Sequence, residues 1–254
     1  LPPSSAASDV YKRQVLEEIL DYQVDGIVLA SVAMSSMLAE RCDAAGIPVV
    51  LFNRAQQEDR FSTVTSDNFA GGKALAEFLV AGGHRRIGYI AGWEGASTQR
   101  DREAGFCAGL AEHGHKLFAR GVGDFRTETA AKAARAMFLA SEFPDAVFVA
   151  NDHMAFAVIE ELRGNLGLRV PEDVSVVGYD DVQLSRWSSF DLTTVRQPSG
   201  EMVAETVAAL MAQIEDGETE PRRVKIDGPL VVRGSARRPA DWKANWKECD
   251  DERL

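Results

Sequence analysis

From Val15 onward, apolar runs of strand length alternate with segments of helical period. Val15, Leu16, Ile19 and Leu20 pair at a spacing of four, which predicts the last turns of a helix over 15–23. DGIVLAS (25–31) and IPVVLFN (47–53) lack polar alternation, the pattern of strands covered on both faces. Between them Met34, Met37, Leu38, Cys42 and Ala45 share one helical stripe, which Gly46 closes as a C-cap. The rhythm continues with strands at 63–66, 86–92, 146–151 and 174–180 and helices at 69–81, 98–112, 127–141 and 153–164. After TTVRQ (193–197) comes a helix over 199–215, then KIDGPLVVRGS, two strand-like pieces divided by Gly228-Pro229. Strand and helix alternating so regularly predict doubly wound parallel sheets, because a parallel neighbour is reached only by a crossover and the helix supplies it. Seven or more strands in two stretches predict two such lobes.

The ends break the pattern. Residues 1–14, LPPSSAASDVYKRQ, have no helical or strand period and read as a foreign or disordered leader. The tail 239–254 is polar, with five acids, three bases, two tryptophans and no leucine heptad.

Composition narrows the function. The 254 residues are 45% hydrophobic and 26% charged, as in a globular chain with a sizeable core. The formal charge of -11 repels a phosphate backbone over most of the surface, so these residues alone are expected to show no sequence-specific grip on DNA. Cys42, Cys107 and Cys249 have neither metal-ligand spacing nor a disulfide-rich setting, which suits a reduced cytoplasm. No run approaches a membrane span.

In an open parallel sheet, ligands bind beyond the carboxyl ends of the strands. The residues there are polar: Asn53-Arg54, Ser66-Asp67-Asn68, Asn151-Asp152 and Asp180-Asp181. Each could simply cap the following helix, but four such sites point to a polar cleft. Arg100 and Arg102 open the 98–112 helix behind the loop GWEGAST, where a cation opposes the helix dipole and calls for an anionic or hydroxyl-rich partner. Phe125 and Trp93 lie in loops where an aromatic face could stack on a ring or cap the core. Enzyme motifs are missing: there is no G-x-S-x-G, P-loop, G-x-G-x-x-G or H-E-x-x-H, and His113, His115 and His153 form no ligand cluster. Asp180-Asp181 could hold a divalent cation, but no second acidic pair or lysine completes such a site. No cofactor, metal or catalytic residue is expected.

The order of phrases is more specific than any one of them. DNFAGGKALAEFLVAGGHRRIGYIAG, STQRDREAGF, VANDHMAFAVIEEL, VPEDVSVVGYDD and LTTVRQP, in that succession, resemble the effector-binding core of the lac and galactose repressor family of bacterial transcription regulators, from about Val15 to Arg238. The resemblance implies a type I periplasmic-binding-protein-like α/β fold: two Rossmann-like lobes, joined by three crossovers, that clamp a small molecule. It implies a ligand set of Arg102 in R-E-A-G-F, Asn151 in A-N-D, Asp180 in G-Y-D-D and Phe125 in G-D-F, with Thr98 and Gln197 beside them. A guanidinium and a carboxylate can each take two neighbouring hydroxyls while an aromatic face covers a ring, chemistry that suits a sugar, a polyol or a purine. The implied partners are that effector, a second copy of the chain and, through a helix-turn-helix headpiece, operator DNA; no membrane partner is implied.

On this reading 15–82 and 198–217 form an N-terminal lobe, and 84–194 and 222–238 form the other. Family members carry a headpiece and two further strands ahead of the first strand here, so the N-terminal lobe is expected to be incomplete. A periplasmic sugar-binding protein of an ABC importer shares the fold and is the alternative, but VPEDVSVVGYDD and TTVRQP resemble the regulators far more closely.

Overall fold

The computed structural model describes residues 24–30, 36–54, 60–240 and 242. The leader, the helix expected over 15–23, Met34, the side chains of Met37 and Leu38 and most of the tail lie outside them. In chain order the elements are β1 (Ile27–Ala30), α1 (Ser36–Ala45), β2 (Val49–Phe52), β3 (Ser62–Ser66), α2 (Asn68–Ala81), β4 (Ile87–Ala91), α3 (Ser97–Glu112), β5 (Ala119–Val122), α4 (Thr127–Phe138), β6 (Ala146–Val149), α5 (Asp152–Glu160), β7 (Ser175–Asp180), β8 (Thr193–Arg196), α6 (Ser199–Glu215), β9 (Arg223–Ile226) and β10 (Leu230–Val231).

Two compact units result, Leu1–Thr65 with Gly200–Val224 and Ser66–Ser199 with Lys225–Leu254. The first carries a sheet of order β1-β2-β3-β9. Val28 lies beside Val50, and Val50 beside Ser62, in parallel register. Ala39, Cys42, Val49, Leu51 and Phe61 form its core. Gly46 turns the chain out of α1 at φ 63°, the left-handed conformation a C-cap requires. Helix α6 belongs here: a Cβ on Gly26 would come within 2.8 Å of Leu210 Cδ1, and Gln213 Nε2 donates to Ser62 Oγ at 2.8 Å.

The second unit holds a sheet of order β10-β8-β7-β6-β4-β5, parallel except for β10. Its core stacks Tyr89, Phe106 and Phe148 with ring centroids 5.0 to 5.8 Å apart. Strand order reverses between β4 and β6, the switch point beyond whose carboxyl ends open α/β sheets bind ligands.

Three expectations need correction. The first boundary falls at 65/66 instead of 82/84, because α2 packs on α3 within the second unit. Small residues make that packing possible. A Cβ on Gly105 would overlap Phe69 O and lie 2.7 Å from its carbonyl carbon; one on Gly109 would lie 2.9 Å from Lys73 O; one on Gly72 would overlap Arg102 O. With no side chain at any of the three positions, the two backbones approach one another directly. The other boundaries fall at 199/200 and 224/225.

Second, β5 is a strand that the apolar pattern does not predict. Its sequence, Ala-Arg-Gly-Val, has no apolar run, because it is an edge strand with alternate residues exposed. Third, two helices end early. The one expected over 127–141 stops at Phe138, and the one expected over 153–164 gives way at Glu161 to a π-turn over Glu161–Asn165. There Glu161 accepts from Arg135 Nε and Asn165 Nδ2, each at 2.7 Å.

The turn between α2 and β4 buries His84. Burial pushes its pKa down, the Asp145 carboxylate 3.3 Å from Nδ1 pulls it up, Arg237 pushes it down again, and the net direction is down. A histidine held neutral on folding contributes stability that is intact above its unfolded pKa, near 6.5, and is lost as pH falls below that value. His84→Gln should therefore destabilise the protein more at pH 7 than at pH 5. Melting temperatures of both chains across that range test this, and a constant difference would refute it.

Candidate ligand-binding site

In the second unit the parallel strands end together on one edge of the sheet. Beyond β4 lies Gly92, beyond β6 Ala150 and Asn151, at the end of β7 Asp180, and beyond β8 Gln197. Arg102, in the second turn of α3, reaches this edge. It is 3% exposed, and its donors are spread over three elements: Nε to Asn68 Oδ1 at 2.8 Å, Nη1 to Ala150 O at 2.6 Å and Nη2 to Asp180 Oδ1 at 3.3 Å. Its guanidinium carbon lies 3.7 Å from the centre of the Tyr179 ring, a cation–π contact. Tyr179 is fixed in turn, its hydroxyl 3.1 Å from Ser66 Oγ and its ring against Gly71, where no Cβ would fit. A buried charge is tolerable only when its hydrogen bonds are made, and here the fork points a planar donor edge at the strand ends.

Asp180 sits at that edge with its side chain 21% exposed. Its Oδ1 also accepts from Gln197 Nε2 at 2.6 Å, and its carbonyl from the Gln197 amide at 3.2 Å. Its backbone lies at φ 126° and that of Asp181 at 55°, both in the left-handed half of backbone space. Such strain is held only where neighbours over-determine the conformation. Asp181 supplies that restraint, its buried carboxylate gripped by Arg196 Nε and Arg233 Nη2, each at 2.6 Å. Among the described residues no group of His, Cys, Asp and Glu is arranged to hold a metal.

Phe125, at φ 54°, lays its ring on Gly92, which has no side chain to obstruct it. Asn151 lies next to Ala150, but its Oδ1 caps α5 by accepting from the Met154 amide at 3.0 Å. Thr98 is buried in the first turn of α3. The structure thus brings Arg102, Asp180 and Gln197 into direct contact, seats Phe125 over the loop after β4 and gives Asn151 a capping bond.

The neighbouring Asp152 is buried and accepts from Val182 N at 3.0 Å and from Ser185 Oγ and Thr194 Oγ1 at 2.7 Å. Burial, with the charge of Asp180, pushes its pKa up to about 6 against these donors. Arg100 Nη1 donates to the carbonyls of Glu94 at 3.4 Å and Gly95 at 3.0 Å in the loop ahead of α3.

Sequence reasoning passes over Tyr179 and Gln99. Tyr179 reads as one more apolar residue of VSVVGYD, although a hydroxyl on a buried strand is itself a sign of a polar partner. Gln99 Oε1 accepts from both Tyr89 Oη at 2.9 Å and Gly92 N at 2.6 Å. Nothing in the helical pattern of STQRDREAGF marks it out from its neighbours.

Comparison with known proteins gives the family. Residues 76–236 match the family described as periplasmic binding protein-like domain. The HTH-type transcriptional regulator CelR of Thermobifida fusca is 37% identical over 219 residues, 84% of this chain and 63% of that one. The HTH-type transcriptional repressor PurR of Photobacterium profundum is 30% identical over 231 residues, 90% of this chain and 69% of that one. A solved complex of the regulator CelR with cellobiose superposes with a TM-score of 0.83 at 33% identity, covering 91% of this chain and 71% of the other. The chain belongs to the lac and galactose repressor family of transcriptional regulators and corresponds to its periplasmic-binding-protein-like core. It spans between 63% and 69% of the length of these two relatives.

Proposed function

We propose that this chain is the effector-sensing core of a cytoplasmic transcription regulator, without enzymatic activity, and that its effector is a sugar held at the strand ends of the second unit. Arg102 and Asp180 serve as paired donor and acceptor for ring hydroxyls, with Gln197, Asn151 and Thr98 beside them and Phe125 covering the apolar face of the ring. The observation that carries the reading is the Arg102 fork: a buried guanidinium held by Asn68 and Ala150, with its remaining edge turned to a partly exposed carboxylate. A sugar is favoured over a purine because the Asp180 carboxylate stays partly exposed beside the Arg102 guanidinium, and such a pair matches vicinal hydroxyls. The cellobiose complex of the CelR neighbour agrees. The active form pairs two copies side by side, and the bound effector controls an operator-binding headpiece of the kind named in its relatives.

A thermal-shift screen of sugars, nucleosides and purines tests this. At least one sugar should raise the melting temperature, since a ligand that binds only the folded state stabilises it by mass action. A shift with purines and none with sugars would reject the sugar assignment.

A further inference from the structure

Asp152 is fully buried, and the effector site as described gives it no part. It opens α5 directly after Asn151, and its carboxylate ties that helix end to two other segments. Oδ2 accepts from Val182 N at 3.0 Å and from Ser185 Oγ at 2.7 Å, both just beyond the Asp180-Asp181 pair, while Oδ1 accepts from Thr194 Oγ1 on β8 at 2.7 Å. Gly178 on β7 makes the room, since a Cβ there would overlap Asp152 Oδ1. An ionised carboxyl in such a place is costly even with three donors. Burial, with the charge of Asp180, pushes its pKa up to about 6, from an ordinary value of about 4. A carboxyl whose pKa is raised on folding costs stability as pH climbs from the unfolded value through the folded one, so at pH 7 the cost is present in full. Asp152 therefore does not stabilise the fold by its charge. What it supplies is a fixed geometry.

The turn it holds is the one that presents Asp180. Backbone at φ 126° and 55°, as in Asp180 and Asp181, persists only where the surroundings over-determine it. Arg196 and Arg233 restrain Asp181 itself. Asp152 restrains the segment that follows, through the Val182 amide and the Ser185 hydroxyl of the 3-10 turn over Gln183–Arg186. We propose that Asp152 is a positioning residue of the effector site: by fixing the chain beyond Asp181 it keeps the Asp180 carboxylate bonded to Arg102 and Gln197, and effector affinity depends on that hold. The inference rests on the reading of this strand edge as the effector site, and not on the effector's being a sugar.

Asp152→Asn can keep every bond, its oxygen taking the Val182 amide and the Ser185 hydroxyl while its NH2 donates to a Thr194 hydroxyl turned to accept. Asp152→Ala can keep none. Isothermal titration of the full chain at pH 7 uses glucose, galactose, xylose, cellobiose, adenosine and guanine as probes, and the one bound most tightly is carried through the variants. Asp152→Ala should weaken its binding about tenfold or more, Ser185→Ala about threefold, and Asp152→Asn by less than about twofold. His84→Gln, a destabilising change in the turn between α2 and β4, should leave the affinity unaltered. Affinity kept in Asp152→Ala, or lost as fully in Asp152→Asn, overturns the inference. So does a loss in His84→Gln equal to that in Ser185→Ala, because affinity would then only follow stability. If Asp152→Ala does not fold, Ser185→Ala is set against Asp152→Asn, and equal affinities of the two overturn it. Binding of adenosine or guanine alone ends the sugar assignment while the variants still decide the inference; if no probe binds, both are withdrawn.

Discussion

Gly105→Ala should destabilise the second unit by about 3 kcal/mol or more, although alanine is the better helix former by about 1 kcal/mol. The sign is decided by what the new methyl meets. It would overlap Phe69 O, with the carbonyl carbon at 2.7 Å and the Phe69 Cα at 2.9 Å. These are backbone atoms of α2, with no rotamer to relieve the contact, so the helices must separate. Separation would loosen Arg102, whose carbonyl faces Gly72 and whose guanidinium bonds Asn68 on α2. Gly200→Ala is the matching control, since a methyl there meets nothing within 4 Å. Urea unfolding followed by circular dichroism should show a clear drop in midpoint for Gly105→Ala and little change for Gly200→Ala. An unchanged midpoint in the first would mean that α2 and α3 are not packed backbone to backbone.

Arg102→Ala should lose about 1.5 to 3 kcal/mol of effector binding, the range for hydrogen bonds to a charged group. It should also lose stability without effector, because the Asn68 and Ala150 oxygens are left buried without their donor, at about 1 to 3 kcal/mol each. Arg102→Lys separates the two effects: it keeps a positive charge near Asp180 but cannot serve three acceptors in one plane. The lysine chain should recover part of the melting temperature and little of the sugar-induced shift. If Arg102→Ala keeps the full shift with the sugar that stabilises the unaltered chain, Arg102 has no part in binding.

The amino-acid order by itself determined the alternation of strands and helices. Runs such as IPVVLF and VSVVGY can only be buried on both faces, and a parallel neighbour demands a crossover. It also placed Asn151 and Asp180 at strand ends, where an open α/β sheet keeps its ligands, while Arg102 and Gln197 joined them only through the family resemblance. What stayed hidden depends on which elements meet. The helical period of 68–81 shows an apolar face but not which unit that face joins; the contact with α3 is made by absent side chains, at Gly72, Gly105 and Gly109, which leave no hydrophobic trace. Likewise β5 is short, half-exposed and on an edge, so its pairing partner β4 defines it more than its composition does. Asn151 is polar and well placed, yet only the geometry of α5 shows its oxygen bound to the Met154 amide. Tertiary structure decided these points because burial pattern records how much of a residue is covered, whereas helix docking, edge pairing and hydrogen-bond partners depend on atoms far away in the chain.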